Sequence, residues 1–230
     1  MESSIDPNHP LANLGSGFLR AIDSTTSGPL QDLLDIIQEL SLFTALLRKC
    51  DLGKNFSESL GQIADQRNLI QYRLTSLPKS TDLHLALPQA QTYEITRLAL
   101  MIFSLLVIFP VTPSAAPFAQ LATLLRAELQ YTNIYTQSLD ELNLITWAVC
   151  MGGIAAIGTP DRSWYVSTLD TIYSYCGFGD WEPVKAVLES FLWLGSTNDV
   201  DGVSLWQEVV QLRSYKRQFE ARHHSELQIR

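Results

Sequence analysis

Cysteine is scarce and poorly placed for cross-linking: Cys50, Cys150 and Cys176 lie far apart and are odd in number. No Cys-x-x-Cys and no cysteine–histidine spacing marks a zinc site, and no disulfide framework can be read. A reducing compartment, cytoplasm or nucleus, suits this usage best. Charge is also low. Asp, Glu, Lys and Arg make up 17% of the chain, against about 25% in ordinary domains, so an unusually apolar interior or an apolar interaction surface is expected. The net charge of -8 repels phosphate backbones, and direct nucleic-acid binding by the body of the protein is not expected.

Catalytic and cofactor motifs are missing as well. The sequence has no Gly-x-Ser-x-Gly elbow, phosphate loop, His-Glu-x-x-His helix or dinucleotide fingerprint, so no cofactor and no metal are expected. Histidine is sparse, and His84 alone lies near the body of the chain. The first residues lack a basic segment leading into an apolar run, so no secretory signal is expected. The longest apolar run, 98–109, is broken only by Ser104 and stopped by Pro110. It falls short of the roughly 20 residues a membrane span needs.

Hydrocarbon in helical register is what the chain does have: 46% of its residues are hydrophobic. The stretch 93–110, YEITRLALMIFSLLVIFP, is apolar all round beyond its first turn, and such a helix belongs at the centre of an all-helical globule. A second helix of the same kind, LNLITWAVCMGGIAAI at 142–157, follows the capping box Ser138-Leu-Asp-Glu141. Amphipathic helices are predicted over 30–49, 56–77, 116–135, 161–176, 181–193 and 203–223, and 195–202 reads as a polar loop. Ser114, Thr159 and Asp180 are the expected helix caps, with Pro88 in a first turn. No strand alternation and no repeat appears. The fold class is therefore all-α: one compact domain of about eight helices over 30–225, after a flexible arm or early capping segment at 1–29 with an amphipathic patch at 14–22.

Gly152-Gly153 stand inside an apolar helix, where each would cost about 1 kcal/mol relative to alanine if exposed. Close approach of another backbone, or of a ligand, is the expected reason. Residues 211–230 carry five cations against two acids, which suits either the C-terminal dipole of a last helix or a patch for nucleic acid or an acidic partner.

Three stretches together resemble one family: YEITRLAL at 93–100; WAVCMGGIAA at 147–156 followed by RSWY at 162–165; and WEPVKAVLESFLW at 181–193. They are similar to the C-terminal regulatory domain of fungal-specific transcription factors, over about residues 30–210. The resemblance implies a helical domain that senses small molecules and contacts other proteins, in a setting such as secondary metabolism. It also implies a preceding six-cysteine zinc cluster, which three cysteines cannot build. The expectation is then a regulator acting through a partner, or a helical pocket put to another use.

The candidate ligand-binding residues are Glu94, Arg97, Trp147, Trp164, Tyr165 and Tyr173. Glu94 and Arg97 stand three apart and either pair with each other or let Arg97 hold an acidic or carbonyl group in a cavity. The aromatic residues either pack the core or line a pocket. Cys150 is expected to pack as a small hydrophobe. Two functions follow. One is a binding module for a small apolar molecule, with a partner protein or a second copy on its outer face. The alternative is a cofactor-independent cyclase, isomerase or pericyclase that confines a reactive substrate, with Arg97, Glu94 or a tyrosine stabilising developing charge. Both call for an enclosed apolar cavity between the 93–110, Gly152-Gly153 and Trp164 helices.

Overall fold

The two apolar helices lie against each other at the centre of the domain. In the computed structural model, which describes residues 14–22, 28–51, 60–111 and 116–228, the helices are α1 (Ser16–Ala21), α2 (Pro29–Asp51), α3 (Leu60–Ser76), α4 (Leu87–Phe103), α5 (Ala116–Leu129), α6 (Leu139–Ala155), α7 (Arg162–Cys176), α8 (Trp181–Ser190) and α9 (Gly195–Gln228). No strand occurs among the described residues. Helix α4 packs on α5 and α6, α6 also meets α1, α7, α8 and α9, and α2 and α3 close the other side of α4. Residues 87–108 are long and apolar enough to cross a bilayer, yet 78% of their most apolar part is buried inside the domain.

Helix α4 begins with Pro88 in its first turn, as expected, and ends in a π turn, Ser104–Ile108. Pro110 offers no N–H to the ladder. The last carbonyls are met instead by Phe109, whose N–H reaches Ser104 O at 2.8 Å, and by Val111, which reaches Leu105 O at 3.0 Å. The Ser104 hydroxyl, buried in hydrocarbon, donates to Gln71 Oε1 of α3.

Helix α6 starts at Leu139 behind a complete capping box: Glu141 N–H donates to Ser138 Oγ (3.3 Å) and Ser138 N–H to Glu141 Oε2 (2.8 Å). From Leu144 to Ala155 every residue of α6 is buried. The reason for its glycine pair is a side chain rather than a backbone or ligand. A Cβ on Gly152 would lie under 3.0 Å from three atoms of the Tyr165 side chain, and one on Gly153 would lie 2.7 Å from Leu205 Cδ2. Gly152→Ala is therefore expected to invert the usual helix rule. Propensity favours alanine by about 1 kcal/mol, but overpacking against a ring that cannot retreat costs about 1–3 kcal/mol. A lower urea midpoint checks the sign.

Residues 195–202, expected as a loop, form the first turns of α9. Two of their polar side chains are engaged by residues before the helix: Asn198 Oδ1 accepts from Leu194 N–H (3.0 Å), and Asp199 takes Trp193 Nε1 (2.7 Å) and Lys185 Nζ (2.6 Å). Helix α5 stops at Leu129 instead of 135, because Gln91 Nε2 of α4 captures Glu128 O (3.2 Å) and Thr132 Oγ1 (3.0 Å) and turns the chain. Asp180 has an extended N-cap backbone but its carboxylate makes no capping bond, and Thr159 Oγ1 donates to Ala156 O. The expected cap Ser114, the helix start at 56, and the arm residues 1–13 and 23–27 lie outside the described residues. Within 14–22 the chain is docked: Phe18 is buried with its ring edge-on to Trp147 (5.0 Å) and Phe191 (4.9 Å).

Two of the C-terminal cations are claimed by a tertiary partner. Asp170 of α7, 5% exposed, receives Lys216 Nζ (2.6 Å) and Arg213 Nε (2.7 Å) from α9. Burial pushes its pKa up, but the hydrogen bonds from Lys216 and Arg213 outweigh that and hold it below the ordinary range. A depressed folded-state value means this stabilisation is complete above the ordinary Asp pKa of about 4 and is lost as pH falls through the lowered one. Asp170→Asn should therefore lower the urea midpoint at pH 7 and converge with the parent protein in acid. Denaturation at several pH values reads this directly.

Candidate ligand cleft

The widest of the surface concavities described is a cleft of about 270 Å³ between α6, α7 and the connection 129–135. Each wall follows from local sequence. On α7, Trp164, Thr168 and Thr171 recur at spacings of four and three, which puts them on one face. On α6, Ile145 and Val149 are four apart and form the floor. The third wall exists because α5 ends early: Leu129, Gln130, Thr132, Asn133, Ile134 and Tyr135 turn across the cleft, with Asn133 Oδ1 accepting from Tyr135 N–H (3.1 Å) to start a 3-10 turn. Beyond it, Tyr135 packs edge-on to Tyr175 of α7 at 5.3 Å, joining the two walls. Two smaller clefts, about 70 and 120 Å³, lie along the N-terminal parts of α4 and α6 and share Pro88, Thr92 and Glu141.

All three clefts are open to solvent. The space beside Gly152, where an enclosed cavity is expected from sequence, is filled by the Tyr165 ring. Of the six candidate residues, Trp164 lines the large cleft. Its ring lies edge-on to Tyr165 (5.0 Å), with the Arg126 guanidinium 5.5 Å from its centroid. Arg126 is held there by Asp161 (2.5 Å), whose other oxygen accepts from Thr123 Oγ1 (2.7 Å). The Thr123 hydrogen bond keeps the Asp161 carboxyl below its usual range against the opposing effect of burial, with Arg126 adding to the lowering.

The structure places Trp147, Tyr165 and Tyr173 in the core, with exposures of 0%, 0% and 1%. Each polar tip has an internal partner. Trp147 Nε1 donates to Leu192 O (2.8 Å), Tyr165 Oη donates to Ala122 O (2.6 Å), and Tyr173 Oη meets Cys150 Sγ (3.4 Å). Burial raises the pKa of both tyrosines and pushes the Cys150 thiol up to about 12, so all three stay protonated and unreactive at neutral pH. Glu94 and Arg97 are each 6% exposed and face each other, Nη2 to Oε1 at 2.5 Å and Nε to Oε2 at 3.1 Å. Glu94 Oε2 also accepts from Ser80 N–H (3.0 Å). The pair binds α4 to the 80–82 turn and lines none of the three clefts. His84 is exposed.

Thr168, Thr171 and the 130–135 turn are the lining residues that sequence reasoning did not reach. The threonine stripe was legible as the polar edge of α7 opposite Leu169 and Tyr173. What it faces depends on where α5 stops, and that is decided by Gln91, 38 positions upstream of Leu129 by numbering. Among the described residues no group of three His, Cys, Asp or Glu could hold a metal ion.

Comparison with known families gives a match to the fungal specific transcription factor domain over residues 13–218. Comparisons with curated proteins and with solved structures find no match. The match spans nearly the whole of the described helical fold, from α1 into the last turns of α9, and the chain therefore belongs to the fungal specific transcription factor domain family.

Proposed function

We propose that the protein is a regulatory domain that binds a small, largely apolar molecule in the α6–α7 cleft, and that it neither reads DNA through this domain nor catalyses a reaction. The composition of the cleft carries this reading. Leu129, Ile134, Ile145, Val149 and Trp164 supply its apolar surface, and its volume of about 270 Å³ approaches the roughly 300 Å³ at which small-molecule sites begin. Membership of a transcription factor domain family supports a regulatory role and suits a nuclear or cytoplasmic protein. The alternative of a cofactor-independent cyclase, isomerase or pericyclase is disfavoured by the same lining. It contains no Asp, Glu, His, Cys, Lys or Arg, and so offers no strong general acid or base and no thiol nucleophile. Glu94 and Arg97, which with a tyrosine were the groups such an enzyme was expected to use, are turned toward each other.

A neutral solvatochromic dye such as Nile red tests the site. The dye is expected to brighten on binding, and Thr168→Trp, which puts an indole into the cleft, is expected to weaken binding at least tenfold while leaving the helical circular dichroism unchanged. Equal binding by the folded variant would remove the cleft as the site. Incubation with metabolite extracts separates the two functions: retention without conversion supports binding, and turnover that survives dialysis supports the enzyme.

A further inference from the structure

We infer that the cleft selects an uncharged, planar ligand carrying hydroxyl donors on the edge that faces α7. This rests on the cleft being the ligand site, and it comes from how the lining polar groups are already engaged. On the α7 wall, Thr168 Oγ1 donates its proton to Trp164 O (2.9 Å) and Thr171 Oγ1 donates to Ser167 O (3.0 Å). A hydroxyl has one proton and two lone pairs, so both threonines present only acceptors to an occupant. The facing wall is mixed: Thr132 Oγ1 accepts from Gln91 Nε2 (3.0 Å), which leaves its own proton to give, Asn133 Oδ1 accepts from Tyr135 N–H (3.1 Å) while its amide NH₂ is a donor, and Gln130 and Tyr135 can each donate and accept.

Shape and charge narrow the class further. The three α7 residues span seven positions, about 10 Å along the helix, and the Trp164 indole at one end offers an aromatic surface suited to a flat ring system. No charged side chain lines the cleft. An ionised ligand would lose hydration against Ile145, Val149 and Leu129 without gaining a counter-charge. Arg126, which lies over the Trp164 ring, is occupied by Asp161. A neutral hydroxylated aromatic fits all of these constraints, and a carboxylate or phosphate does not.

Three naphthalenes of matched shape test this: 2-naphthol, which donates; 2-methoxynaphthalene, which only accepts; and 2-naphthoate, which is anionic at pH 7. Dissociation constants from ligand-observed NMR are expected to favour 2-naphthol over 2-methoxynaphthalene by about fivefold, the factor for one net neutral hydrogen bond, and over 2-naphthoate by more. Replacing both threonines, Thr168→Val with Thr171→Val, keeps their shape and should bring 2-naphthol down to the 2-methoxynaphthalene value without changing the latter. Equal affinity of the two neutral probes for the parent protein, or a preference that survives the valine pair, would overturn the inference and leave the cleft standing as a site. If none of the three binds, or if their binding is unaffected by Thr168→Trp, the cleft reading falls and takes the inference with it.

Discussion

Arg97→Met is expected to destabilise the domain by about 3–5 kcal/mol, the cost of leaving a buried charge without its partner. Glu94 and Arg97 are both 6% exposed and share two hydrogen bonds inside the protein. Removing the guanidinium strands the carboxylate, whose remaining described donor is the Ser80 N–H at 3.0 Å. The methionine fills most of the vacated volume, so a cavity contributes little and the effect is electrostatic. Adding Glu94→Gln is expected to recover much of the loss, since the amide oxygen still accepts from Ser80 and no net charge remains buried. Urea denaturation of both singles and the double closes the cycle. A small loss in Arg97→Met, or additive losses in the double, would mean that water reaches the pair and that it is not the closed structural link described.

Helices α4 and α6 were legible because their composition leaves no alternative: a run such as LALMIF or WAVCM has no polar face to give to water. The Ser138–Glu141 box was equally legible, because its chemistry is local and closes within four residues. Where the sequence misled, the missing information was tertiary. Residues 195–202 look like a loop by composition, but Asn198 and Asp199 serve Leu194, Trp193 and Lys185 and the segment is helical. The end of α5 is set by a glutamine on another helix. Arg213 and Lys216 read as dipole partners until Asp170 is brought beside them.

The candidate site was less legible than the fold, for a related reason. Aromatic residues at helical spacing can face inward or into a groove, and composition does not distinguish the two. Trp147, Tyr165 and Tyr173 lie inward because each polar tip finds an acceptor or partner there, at Leu192 O, Ala122 O and Cys150 Sγ. Trp164, one residue from Tyr165, points about 100° away around the helix and meets the cleft. The threonines beside it carry no signal of their own. They become informative only once their protons are seen to be committed to α7 carbonyls, and that depends on the helix being in place.

Trp147→Ala is the second large effect expected, again about 3–5 kcal/mol, here from lost packing and a residual cavity. The indole is fully buried where α1, α6 and the 191–194 segment converge: Phe18 lies edge-on at 5.0 Å, Phe191 is stacked at 6.0 Å, and Nε1 donates to Leu192 O at 2.8 Å. Removing it takes away the ring on which Phe18 rests and leaves the Leu192 carbonyl without that donor, a further cost of about 1–3 kcal/mol if water cannot replace it. The loss should be unevenly distributed. Helix α1 has only six residues and no side-chain cap, too short to hold helical structure without its docking surface, so the amides of 16–22 should lose hydrogen-exchange protection before those of α4. Trp147→Phe separates the two causes, because it retains an aromatic partner for Phe18 while deleting the Nε1 donor. If Trp147→Phe is nearly as damaging as Trp147→Ala, the hydrogen bond to Leu192 dominates. If it is mild and α1 stays protected, ring packing holds the N-terminal helix to the core.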